Sequence, residues 1–316
     1  MIRSVSLGIA AVSAVCFGFS GPMAKYLNAA GLAPLESVWV RMAGAGLLLL
    51  AALALLRPAA LRIPRGQWLF FGVYALVAVA GVQALYFLAI QRLPVGVTLL
   101  IEYTSPVLVV LWVRFVRGIR LPRAAYVGAV IAVGGLAVVV EVWDGLRLDA
   151  IGLVLALLAA ACCAGYFLMS DNLHVDPLGL VAWGMLGAAV VLLPFAQPWS
   201  IDWAVFGDVV TVAGNTLPVA GAAGWLILVA TVVAYIAGVT AVRRLSAAVG
   251  ATVASLEVIT GALIAWFLLG ESLGAYQIVG GAVVLLGALL AQTATVRRAP
   301  AEEAPAAREP VLNPSA

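Results

Sequence analysis

The chain has 316 residues, 65% of them hydrophobic and 10% charged, with a formal net charge of +3. Soluble domains carry about 25% charged and about 45–50% apolar residues, so lipid must be the solvent for most of this chain, whose mean hydropathy is +1.15. Basic residues stand singly between apolar runs rather than in a patch, which argues against nucleic acid as a partner.

A helix that crosses a bilayer needs about 20 mainly apolar residues. In chain order ten such spans are predicted, at about 5–27, 36–56, 68–90, 95–116, 123–141, 149–170, 178–196, 219–241, 246–268 and 274–295. The first follows Arg3 but is too long for a signal-peptide core and lacks a small-x-small cleavage site, so it is expected to be retained. Residues 197–218 form the longest connection, expected to be external and partly folded. Residues 297–316, rich in Pro, Ala and Glu, are expected to be a disordered cytoplasmic tail.

Arginine placement sets the expected orientation. With the N-terminus inside, the inner connections hold Arg57, Arg62, Arg65, Arg117, Arg120, Arg123, Arg243, Arg244, Arg297 and Arg298. The outer ones hold Arg92 and Arg147 together with Glu141, Asp144, Asp149, Asp202, Asp208 and Glu271. This is a positive-inside bias with both termini in the cytoplasm, as in a multi-pass cytoplasmic (inner) membrane protein. The connection between spans 6 and 7 departs from it, with Asp171, His174 and Asp176 and no arginine.

Displaced by 152 positions, the chain partly repeats itself. Arg92-Leu93 falls on Arg244-Leu245, Val97 on Val249, Leu111 on Leu263 and Phe115 on Phe267. Gly118 falls on Gly270, Leu121 on Leu273, Gly128 on Gly280 and Gly135 on Gly287. The first spans fit more loosely, Cys16-Phe17-Gly18 against Cys163-Ala164-Gly165. Five spans per copy is an odd number, so the second copy must enter the bilayer upside down, a recurring plan in secondary transporters. The expected fold is an all-α integral membrane protein, ten transmembrane helices in two inverted five-helix repeats, residues 1–145 and 146–296, before the tail.

A charge at mid-bilayer costs about 2.5–3.5 kcal/mol, so each one requires a reason. Glu102 is the most informative: Thr98, Glu102 and Ser105 share a helix face, and Pro106 should break the helix beside them. The carboxyl reads either as a substrate-ammonium or proton site, or as a structural partner of Arg41 or Lys25. Glu257, with Thr260 on its face, lies in the ninth span and either lines a cavity or makes a structural hydrogen bond. Lys25 follows Gly18, Gly21 and Pro22; an interrupted span points to a transport site, although a lysine near a span end can also snorkel to water. Arg41 is placed to reach the interface or to pair with Glu36 or Glu102. Gln83 and Tyr86 share a face, and Tyr103, Tyr166, Trp183 and Tyr235 are further candidates. The three cysteines, Cys16, Cys162 and Cys163, read as small core residues, and His174 has no partner at metal spacing. No P-loop, nucleophile–base pair or cofactor signature is present, so no catalytic residue, metal or cofactor is expected.

The segments GFSGPMAKYL, VWVRMAGAGLLLL, LPVGVTLLIEYTSPVLVVLW and SLEVITGALIAWFLLGESLGAYQIVGGAVVLLGALL resemble the EamA-type members of the drug/metabolite transporter superfamily, over about residues 5–295. The resemblance implies a cavity between two halves, alternating access and a small-molecule substrate. IEYTSP is similar to the matching stretch of threonine/homoserine exporters, which leans the expectation toward export of an amino-acid-like metabolite. Two departures stand out: Glu257 precedes Val258 where the family often has Glu-Pro, and Gly118 precedes Ile119 where Gly-Glu is common. The alternatives are a non-transporting membrane sensor or scaffold and an intramembrane enzyme. Loops and tail leave no room for a signalling domain, and the spans show no catalytic group.

Overall fold

The computed structural model describes residues 2–64, 66–141, 143, 148–170, 175–244 and 255–296. The expectations resting on Arg65, Asp144, Arg147, Asp171, His174, Leu245, Val249 and the 297–316 tail fall outside those residues. Proline and glycine positions explain most element boundaries. Helices α1 (Ile2–Gly18) and α2 (Ser20–Ala29) form one span, interrupted at Phe19 because Pro22 has no N–H to offer the Gly18 carbonyl. Helix α3 (Pro34–Leu56) starts with proline in its first turn, and the Glu36 carboxylate accepts the Ala33 N–H at 2.7 Å. Helices α4 (Trp68–Val73) and α5 (Val82–Ala89) are joined by a π-helical segment, Tyr74–Gly81. Helices α6 (Val95–Glu102) and α7 (Ser105–Phe115) are divided just ahead of Pro106, as its position predicts, and α8 (Arg123–Val139) closes the first half.

In the second half, α9 (Ala150–Ser170) and α10 (Pro177–Ala196) each form a span, the latter capped by Asp176, which accepts from Leu178 N at 3.0 Å. The long connection carries a short 3₁₀ turn, Trp203–Gly207, and an antiparallel hairpin, β1 (Val209–Val212) and β2 (Asn215–Pro218), in which Val212 faces Asn215. Helices α11 (Val219–Ile227) and α12 (Ala234–Arg244) flank a second π-helical segment, Leu228–Val233. Moved back by the repeat offset, that segment falls within the first one. Helices α13 (Leu256–Leu269) and α14 (Ala275–Val296) complete the bundle.

Among the described residues, eight stretches are long and apolar enough to cross a membrane, against the ten expected from the sequence. The difference lies in α8 and α13, apolar helices of 17 and 14 residues. Of the predicted ninth span, 246–268, residues 246–254 fall outside the described residues. Large apolar side chains such as Leu47, Phe115, Val130, Val190, Leu263 and Leu286 are exposed on the bundle surface, which suits lipid rather than water.

Helices from the two halves interlock. Helix α1 packs on α12 and α13, while α9 packs on α5 and α6; α3 touches the second π segment and α10 the first. The tightest seam joins α8 to α14. A Cβ on Gly135 would lie 2.8 Å from the Gly280 carbonyl oxygen, and one on Gly280 would lie 2.8 Å from that of Gly135. Gly128 and Gly287 oppose each other in the same reciprocal way, each 2.7 Å from the other's carbonyl oxygen. Because 128 faces 287 while 135 faces 280, the two helices run in opposite directions. Small residues let helix backbones meet in lipid, where no hydrophobic force drives association.

Candidate functional site

Between the halves, charged and aromatic side chains converge where lipid cannot reach. Arg41 of α3 is 1% exposed. Its Nε donates to Thr231 Oγ1 at 2.8 Å, one terminal nitrogen donates to Gln83, and the other to the Ala230 carbonyl at 3.4 Å. The guanidinium carbon lies 5.6 Å from the Phe87 ring centroid, a cation–π contact. The expected pairing of Arg41 with Glu36 or Glu102 is therefore not made: Glu36 caps the start of α3, and neutral acceptors of α5 and the second π segment hold the guanidinium. Thr231 also donates to Leu226 O, five residues back, at 2.7 Å, so the π-helical turn aims its hydroxyl at Arg41.

Glu102 occupies the last position of α6, at the break that Pro106 forces. No hydrogen bond or ion pair engages its carboxylate among the described residues. Glu257 of α13 accepts a hydrogen bond from Tyr103 Oη at 3.1 Å and enters no ion pair among them. Both glutamates interact electrostatically with Arg41 and with Tyr86. Both carboxyl-bearing residues are half-buried. Ser105 is buried at the start of α7, which packs against α9, and Tyr235 of α12 packs edge-on to Phe17 at 4.9 Å.

The structure thus brings Arg41, Gln83, Tyr86, Glu102, Ser105 and Glu257 together. It separates two other sequence candidates from them. Thr98 is fully buried and donates to Pro94 O at 3.0 Å, its own backbone having captured the hydroxyl. Lys25 does not snorkel free: it forms an ion pair with Glu271, at the end of the bundle. Trp183 donates to Leu61 O at 3.0 Å, a structural contact, and Thr260 donates to Ala14 O at 3.2 Å, tying α13 to α1. Phe87, Thr231 and Cys163 were missed by sequence reasoning, since residues so far apart in the chain give no local signal. Glu271 had a signal, the Leu-Gly-Glu-Ser motif at 269–272, but stood only among the outer acids.

Comparison with known proteins gives the family of the chain. The family model of the EamA-like transporter family matches residues 5–141 and again 150–293. The chain belongs to the EamA-like transporter family. It is a multi-pass integral membrane protein of a transporter family, built from two EamA repeats. Among its relatives is the threonine/homoserine exporter RhtA of Salmonella typhimurium, 28% identical over 259 residues, which covers 79% of this chain and 80% of the relative. The exporter of the same name from Escherichia coli K12 is 29% identical over 261 residues, 79% of each chain. The uncharacterized transporter YwfM of Bacillus subtilis is 26% identical over 233 residues, 73% of this chain and 75% of that one. A solved crystal structure matches with a TM-score of 0.62 at 18% identity, over 94% of this chain and 99% of that one, a likeness of fold alone.

Proposed function

We propose that the protein is a secondary exporter of a small amino-acid-like metabolite, working by alternating access to the pocket that holds Glu102, Glu257 and Arg41. The observation that carries the reading is charge layout: two carboxylates that form no ion pair among the described residues stand within electrostatic reach of one buried guanidinium. A zwitterion matches that layout, its ammonium at Glu102 or Glu257 and its carboxylate in the field of Arg41. Gln83, Tyr86 and Ser105 add polar surface, and Lys25 acts at the end of the bundle rather than in the pocket. A proton is the candidate coupling ion, since a glutamate can carry it when substrate is absent. The names of the Salmonella and Escherichia relatives support an amino-acid substrate and the outward direction.

In this reading ten helices, with α8 and α13 counted as spans, form two inverted repeats, residues 1–145 and 146–296. The glycine seam supports it. A two-fold axis carries Gly128 onto Gly280 and Gly135 onto Gly287, so the contact 128–287 must be mirrored by 280–135, and both contacts are made. The Arg92 end is assigned to the outside and both termini to the cytoplasm, on the positive-inside bias.

Counterflow in proteoliposomes tests the function. Saturable exchange of labelled threonine or homoserine is expected, and Glu102→Gln should weaken apparent affinity about tenfold or more, as losing one charged hydrogen bond of about 1.5–3 kcal/mol would. Absence of saturable exchange across an amino-acid panel would return the chain to the sensor or scaffold reading.

A further inference from the structure

The proposed pocket has two ends, and the chain treats them unequally. At one end Lys25 of α2 forms an ion pair with Glu271, in the turn between α13 and α14, and donates to the Leu93 carbonyl at 3.3 Å. The other carboxylate oxygen of Glu271 accepts the Val95 N–H at 2.7 Å, one of the free donors at the start of α6. A single carboxylate therefore ties together the first, fourth and ninth spans.

Beneath this knot the same spans close without room for a methyl group. A Cβ on Gly18 would lie 2.9 Å from Gly261 N, and one on Gly21 would lie 2.6 Å from Tyr86 Oη and from a Val95 methyl. Above it the loop hairpin lies across the end of α13. Asn215 Nδ2 donates to Phe267 O at 3.0 Å and Leu268 O at 3.2 Å, and Tyr26 Oη donates to Leu268 O at 3.1 Å.

The repeat supplies an internal comparison. Gly118 and Gly270 are equivalent by the 152-residue offset, and both are left-handed, with φ of 70° and 67°. The residue that follows is Glu271 in one copy and Ile119, 45% exposed, in the other. Gly165, matched to Gly18 only by the looser alignment of the first spans at an offset of 147, meets only Val77 among the described residues and no atom of α7. The carboxylate and the tight glycine contact are thus both specific to the Lys25 end.

We propose that Lys25 and Glu271 are the gate residues that hold the pocket shut at the Lys25 end in the resting carrier, which therefore loads from the opposite end. The inference rests on the carrier reading above. The two side chains are 23% and 18% exposed, and ion pairs with access to water are weak enough to break and re-form within a transport cycle. Lys25 and Glu271 act by positioning α2, α6 and α13 and need not touch the substrate.

The native Cys163 of α9, which this reading sets at the proposed pocket, is a ready reporter once Cys16 and Cys162 are replaced by alanine. Vesicles of known orientation, scored with Trp199→Cys in the exposed loop over the Lys25 end, are treated with a membrane-impermeant thiol reagent. In the otherwise native carrier Cys163 should react only from the opposite end. Lys25→Met, and Glu271→Gln, which keeps an acceptor for Val95 N–H, should each raise reaction from the Lys25 end about tenfold or more. The double variant should go no further than either single one, and Lys25→Arg should keep native sidedness. A purely structural pair would lower yield or melting temperature and leave sidedness unchanged, and that result overturns the gate. Cys163 unreactive from both ends in every variant would overturn the pocket itself and the carrier reading with it. Altered sidedness without counterflow would retain the gate and refute only the proposed substrate class.

Discussion

Arg41 keeps its charge at the centre of the bundle with neutral acceptors around it, so its stability depends on every one of them. Thr231→Val should leave Nε–H of Arg41 without a partner, at a cost of about 1–3 kcal/mol. The matching readout is a lower melting temperature of the purified protein. Arg41→Lys should fare worse in transport than in folding, because an ammonium cannot reproduce three donors fixed in one plane. Tyr103→Phe, by contrast, removes one hydrogen bond from Glu257 and no charge. It should shift apparent substrate affinity less than Glu257→Gln does, as measured by counterflow. At this scale the sequence was a partial guide. Glu102 and Glu257 were visible because charge in an apolar run is costly. The partners of Arg41 were not, because Thr231 stands 190 positions away and is aimed by a π turn that no local pattern announces. Thr98 was expected to share a face with Glu102, and its own backbone took the hydroxyl.

Individual helices follow their punctuation closely. Pro106 divides the fourth span, Pro22 interrupts the first, and Asp176 with Pro177 begins α10. What the sequence did not disclose was the π-helical register of Tyr74–Gly81 and Leu228–Val233, since hydrophobic composition is the same in α and π turns. The paired glycines were legible as a repeat, but their contact with one another was not, because a repeat offset says nothing about which faces meet. That contact gives a sharp expectation. Gly135→Ala or Gly287→Ala sets a methyl against the partner backbone, and overpacking of this kind costs about 1–3 kcal/mol. Gly134→Ala, one residue away with nothing within 4 Å, should hold or slightly raise the melting temperature, since alanine suits a helix interior better than glycine.

For the molecule as a whole, composition alone made lipid the solvent, and the family match in two segments agrees with the duplication read from paired residues. The side-of-membrane assignment is testable with the same reagent chemistry. Arg92→Cys and Arg244→Cys are expected to be labelled from opposite faces, and labelling from one face would end the inverted plan. The α8–α14 seam bears on which parts of the carrier can move. Two backbones in contact through glycine have no side chains to slide or re-pack, so this pair is fitted to serve as a fixed keel while other helices tilt beside it. A covalent staple set between α8 and α14 should then leave flux intact, whereas one between α2 and α13 should arrest it.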